Sequence, residues 1–163
     1  MKLKQILLVM LLSLFSLHVH AQSDKRPVIF IAPLAELSGY GLEGIAFGGG
    51  FAIGTEDDGF TIGLRLLYAT DSESANSLEL NFFIRYYVFT PNDHSGLFVQ
   101  LNGGPVVFNY KKAVVIPSEA GEISFGFTVG WRFPLGKHFF LEPAIRGGYP
   151  YIAGGGLSAG YRL

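Results

Sequence analysis

Between Phe60 and Tyr68, Leu78 and Val88, and Ile123 and Phe133, the chain alternates residue by residue between two kinds of side chain. Successive side chains of a β-strand point to opposite faces, so this pattern describes strands with two unlike faces. One face is Phe60, Ile62, Leu64, Leu66 and Tyr68, then Leu78, Leu80, Phe82, Ile84, Tyr86 and Val88, then Ile123, Phe125, Phe127, Val129, Trp131 and Phe133; it is apolar at 17 of 17 positions. The interleaved face is apolar at only 3 of 14 (Leu67, Phe83, Tyr87) and charged at Arg65, Glu79, Arg85 and Arg132. A soluble sheet would turn its apolar face to a core and cover the other with solvated charge. Here the second face carries Gly, Ser, Thr, Asn and isolated Arg or Glu, which suits the tight interior of a closed barrel. The three segments have 9, 11 and 11 residues, and a transmembrane β-strand needs about 9–11. A soluble sandwich or barrel is the competing architecture.

Composition agrees. Charged residues make up 15% of the 163 and hydrophobic ones 49%, with 22 Gly; soluble domains average about 25% charged. A net charge of −1 lacks the basic surplus of a nucleic-acid binder. The absence of Cys excludes a disulfide framework, a thiolate metal site, a Cys nucleophile and a lipid-modified N-terminal Cys. Lys2 and Lys4, the apolar run Ile6–Leu17 and the small-residue end Val19-His20-Ala21 have the three-part layout of a cleavable signal peptide. The expected domains are therefore a signal peptide, 1–21, and a barrel, 22–163. Removing the first leaves 10 basic and 13 acidic side chains, with His94 and His138 as the only histidines.

Turn chemistry at Thr55–Gly59, Pro91–Gly96 and Pro134–Lys137 alternates with longer stretches at Thr70–Ser77, Lys111–Glu122 and Tyr149–Gly155. The spacing predicts eight strands, near 28–36, 40–54, 59–69, 78–89, 97–110, 122–133, 138–148 and 155–163. Short and long connections are expected at opposite ends, with both chain termini on the short-turn, periplasmic side. The first strand is the least regular, since Val28-Ile29-Phe30-Ile31 is apolar on both faces. Pro33, Pro105 and Pro143 each remove a ladder donor, and a bulge or an early strand end is expected there. Phe60, Tyr86, Trp131, Phe139 and Tyr161 point outward near the short-turn end or the C-terminus, the placement of an interfacial aromatic girdle.

In this pattern the chain resembles the small eight-stranded outer-membrane barrels of the OmpA-domain, OmpX and OmpW kind. The resemblance spans the whole predicted mature chain and implies an all-β, antiparallel, up-and-down transmembrane barrel in the outer membrane. It also implies contact with outer-membrane lipid and lipopolysaccharide-like lipids. The run Gly156–Leu163 resembles the terminal strand read by barrel-assembly machinery, with Tyr161 and Leu163 as recognition residues and Leu163 standing where an aromatic residue is usual. A monomer is expected, with no nucleic-acid partner and no cofactor or metal.

The register places Arg65, Glu79, Arg85, Arg132, Glu142, Arg146 and Arg162 inside. Buried charges persist only when paired and hydrogen-bonded, and eight strands enclose a lumen just wide enough for side chains. A polar plug that rigidifies the barrel is one reading; a narrow path for small solutes is the other. Five Arg against two Glu would make such a path anion-selective, which conductance in planar bilayers tests. Ser124, His138 and Glu142 share the inward face and could be drawn together as a hydrolytic triad, yet a lipid-A deacylase is expected to carry its His and Ser on the lipid-facing wall. Enzymatic activity is accordingly not expected.

Gly39–Gly44 has the letters of a dinucleotide-binding fingerprint without the helix that motif requires. Glu56, Asp57 and Asp58 lack calcium-loop spacing and read as a solvated turn. Three roles remain open: an envelope structural or surface-interaction protein, with Lys111–Glu122 as contact loop; an OmpW-like conduit for small hydrophobic or anionic solutes; and a lipid-modifying enzyme.

Overall fold

A computed structural model describes residues 27–40, 44–57, 59–71, 75–89, 94–110 and 119–163. The predicted signal peptide 1–21, residues 111–118 of the contact loop and residues 58 and 91–93 of two turns lie outside them. Eight antiparallel strands close into a barrel: β1 (Val28–Tyr40), β2 (Gly44–Asp57), β3 (Phe60–Asp71), β4 (Ala75–Tyr87), β5 (Gly96–Tyr110), β6 (Glu119–Leu135), β7 (Phe139–Tyr149) and β8 (Ala153–Arg162). Each strand pairs with the next, and β8 returns to β1 from Phe30↔Arg162 up to Gly39↔Ala153.

The two faces sort as the alternation predicts. None of the 17 apolar positions of the first face is buried, and Ile84, Phe127 and Trp131 are 54%, 57% and 42% exposed. Arg85 and Arg132, on the opposite face of the same strands, are 6% and 0% exposed. The wall is therefore apolar outside and polar inside, the reverse of a soluble globule. Phe30 explains why β1 is apolar on both faces: it points into the lumen, packs edge-on against Phe140 with ring centroids 5.6 Å apart, and is fully buried.

The prolines do not bulge the sheet. Pro33 stays paired to Phe51 on β2, while the β1–β8 ladder skips Ala32 and Pro33 and resumes in unchanged register at Leu34↔Ser158. Pro105 and Pro143 repeat the arrangement, each paired on one side (with Ile123 and Leu157) and beside a two-residue gap in the other ladder. A strand residue directs its N–H to one neighbour only, so one missing donor costs one ladder and leaves the strand running.

The connections also depart from expectation. Links of three residues join β1 to β2, β3 to β4 and β7 to β8, and only residues 111–118 make that end longer; at the other end the links are 58–59, 88–95 and 136–138. Short and long connections are thus not segregated between the ends. Of the run Thr70–Ser77, the described residues 70, 71 and 75–77 are strand: Asp71 and Ser77 turn inward, and Thr70 bonds its cross-strand partner Asn76 at 2.8 Å. The end carrying 58–59, 88–95 and 136–138 also holds Val28 and Arg162 and is called the turn end.

Inward glycines seat the lumen rings. A Cβ on Gly160 would lie 1.9 Å from Cζ of Phe140, whereas one on Gly121 would meet nothing within 4 Å. Gly160→Ala is expected to cost about 1–3 kcal/mol through overpacking and Gly121→Ala close to nothing. Urea midpoints of the detergent-folded barrel check this, and Phe140→Leu should restore much of the loss.

Candidate functional site

Small inward residues on β2 (Ala46, Gly48, Ala52, Gly54) and β8 (Gly154, Gly156, Gly160) leave room for long side chains from the other strands. These fill the lumen as two ion-paired clusters, one above the other.

Arg132 is the hub of the turn-end cluster. Its Nε donates to Glu142 Oε1 at 2.5 Å and its Nη1 to Glu56 Oε1. Arg85 Nη1 donates to the same Glu142 oxygen at 2.5 Å, and its Nε to Gln100 at 2.8 Å. Ser158 donates to the other Glu142 oxygen at 3.1 Å, and Arg162 Nε lies 3.0 Å from Glu56. Aromatic faces cover the guanidinium groups: Arg132 sits 3.8 Å from the Phe140 centroid and Arg85 4.0 Å from that of Phe98. Stacking of this kind is specific to the planar guanidinium, so Lys would not substitute.

The upper cluster is Glu36, Arg65, Glu79 and Arg146. Arg65 Nη2 donates to Glu36 at 2.5 Å; Arg146 pairs with Glu36 and, at 2.8 Å, with Glu79. Asn81 donates to Glu79 and accepts from Ser124 at 2.6 Å. Arg146 lies 4.4 Å from the centroid of Tyr151, whose hydroxyl meets Ser77 at 2.5 Å.

The seven sequence-predicted charges all face the lumen, Arg85, Arg132, Glu142 and Arg162 in the lower cluster and Arg65, Glu79 and Arg146 in the upper. Two carboxylates escaped the sequence reading. Glu56 is not in a solvated turn but 4% exposed, because β2 runs on to Asp57 and keeps Glu56 in phase with Ala52 and Gly54. Glu36, 6% exposed, is the last residue of the predicted first strand; β1 runs on to Tyr40 and keeps it in phase with the inward Ala32 and Ser38. With both counted, the paired lumen charges among the described residues are five Arg and four Glu. The cationic surplus of these paired groups falls from three to one, and the inward Asp71 at the far end of β3 offsets it over the whole lumen.

The paper triad does not assemble. His138 is exposed in the β6–β7 connection and stacks on Tyr161 at 5.5 Å, with its Nδ1 3.2 Å from the Arg162 carbonyl. It is outside the barrel rather than on the inward face, since β7 begins only at Phe139. Ser124 is engaged with Asn81 and the Gly104 carbonyl, and Glu142 with two guanidinium groups.

All five girdle residues lie on the outer wall. Phe60 meets Tyr86 at 5.2 Å and Phe139 meets Tyr161 at 4.9 Å, both pairs in cross-strand register near the turn end. Trp131 instead contacts Phe133 at 6.2 Å, four residues before β6 ends.

His94, in the β4–β5 connection, closes the turn end. Its carbonyl accepts from Arg162 Nη2 at 2.9 Å and Arg132 Nη1 at 3.5 Å, and its ring packs edge-on to Tyr87 at 5.5 Å. Burial, with Arg162 and Arg132 beside it, lowers the His94 pKa below its ordinary value, against a raising contribution from Glu56. The folded state therefore binds fewer protons than the unfolded one as pH falls through about 6.5, and stability is lost in that direction. His94→Asn tolerates the backbone φ of 46° at this position and removes the titration. Wild type is expected to lose stability from about pH 7.5 to about 5.5, and the variant to lose less, as read by unfolding midpoints.

A scan against protein families gives no match, and neither does a sequence search of curated proteins. Solved structures do match. The N-terminal β-barrel domain of Pseudomonas aeruginosa OprF has a TM-score of 0.56 at 15% identity, covering 85% of this chain and 100% of that one. Neisserial surface protein A gives 0.56 at 13%, covering 84% and 96%. Ail, the attachment invasion locus protein of Yersinia pestis, solved with the heparin analogue sucrose octasulfate, gives 0.52 at 13%, covering 84% and 97%. The fold of this chain is that of the small eight-stranded outer-membrane β-barrels.

Proposed function

We propose that the chain is a non-enzymatic, integral outer-membrane barrel with a closed lumen, serving the envelope as a structural element. The observation that carries this reading is the pairing of an apolar wall with a lumen filled by ion pairs. A lumen cavity lined by Arg65, Arg85, Arg146, Glu36 and Glu142 is about 60 Å³, room for a handful of waters at about 10–15 Å³ each. A conduit for small solutes would have to part buried ion pairs, each costing several kcal/mol to break. Links of only three residues at three of the four connections opposite the turn end also leave little surface for display, residues 111–118 excepted. A leader over 1–21 would supply export, outer-membrane lipid and lipopolysaccharide-like lipids would surround the wall, and barrel-assembly machinery would read β8. The turn end then faces the periplasm.

Fractionation with heat-modifiable gel migration tests the location, and swelling of proteoliposomes tests the lumen. The reading expects outer-membrane recovery, a migration shift on boiling and no swelling above lipid alone. Recovery as a soluble protein with unshifted migration contradicts the membrane placement, and solute-dependent swelling contradicts the closed lumen.

A further inference from the structure

We propose that the cavity between the two clusters is a binding site for one small monovalent anion of the halide class. Arg65, Arg85 and Arg146 line it against Glu36 and Glu142, among apolar walls from Leu34, Ala52, Phe83 and Phe98. Three guanidinium groups thus face two carboxylates. The neighbouring paired groups leave this local excess unchanged: Arg132 with Glu79, then Arg162 with Glu56, add one charge of each sign. Asp71 faces inward as well, but six residues up β3 from Arg65, about 20 Å along the strand. Arginine does not surrender its proton, so the local excess is fixed rather than titrated away.

Donors accompany the charge. Arg65 is 7% exposed, and its Nε has no hydrogen-bond partner among the described residues. Thr128, also on the lining, accepts from Asn102 at 2.9 Å and keeps its hydroxyl proton to give. A local excess of buried positive charge is costly without a counter-charge, and a volume of about 60 Å³ admits a halide with water while excluding an organic anion such as gluconate. The site goes beyond the envelope role proposed above and is read on purified protein, so the two stand or fall separately.

The test is the thermal unfolding midpoint of the full chain, purified in detergent, with chloride exchanged for gluconate at constant ionic strength. A ligand that binds only the folded state raises stability with saturation, and about 5–10 °C is expected at a hundredfold excess over Kd. Ala52→Leu fills the cavity without altering charge and should abolish the chloride response. Equal midpoints in the two salts overturn the site, as does an undiminished response in the variant. Should Ala52→Leu not fold, anomalous diffraction from wild-type crystals soaked in bromide decides: a peak among Arg65, Arg85 and Arg146 supports the site, and peaks confined to the surface overturn it.

Discussion

Glu142→Gln is expected to destabilise the barrel by about 3–5 kcal/mol, the cost of stripping a buried charge cluster of one partner. Glu142 is 4% exposed and takes hydrogen bonds from Arg85, Arg132 and Ser158. The amide keeps the volume but leaves two guanidinium groups facing each other across a neutral side chain. Arg132→Met removes one of the cations crowded around Glu142, and its former partners retain Arg85 and Arg162. The carboxylate variant should therefore be the worse of the two, although Arg132 makes the larger number of named contacts. Urea unfolding in detergent or vesicles, followed by gel migration, measures both. The opposite order would show that contacts at Arg132 outweigh charge balance.

The second large effect lies on the wall. Phe127 is 57% exposed at mid-strand on β6, and Phe127→Arg in lipid vesicles is expected to cost about 2–4 kcal/mol, the penalty for a cation on a lipid-facing wall near the midplane. Phe127→Leu keeps the surface apolar and should cost little. In water the same Arg substitution would be neutral or solubilising, so the sign of the effect reports which solvent the wall meets. Folded fraction against urea in vesicles gives the measurement.

The division between wall and lumen was legible because a two-residue period admits one solution once every outward residue on three strands is apolar. The inward charges followed from the same phase. Legibility ended where local composition masked the phase. Glu56 adjoins two aspartates and looks like a turn, although it continues the small inward row of β2. Glu36 sits on a strand that is apolar on both sides, where alternation has no contrast. At the prolines the sequence is silent, because it does not show which neighbouring strand each N–H addresses. Stacking of Arg132 on Phe140 and of Arg85 on Phe98 joins strands distant in sequence, and no periodicity encodes it. Thr70, Asp71, Asn76 and Ser77 have the composition of a loop, and only their phase marks them as strand.

Trp131 is the only tryptophan in the chain, lies on the outer wall of β6 and is 42% exposed, which makes its fluorescence a reporter for the wall alone. In vesicles of lipids brominated on their acyl chains, the folded protein is expected to show strong Trp131 quenching, while aqueous acrylamide quenches weakly. Efficient quenching by acrylamide, with none from brominated acyl chains, would place the apolar face away from lipid and contradict the account.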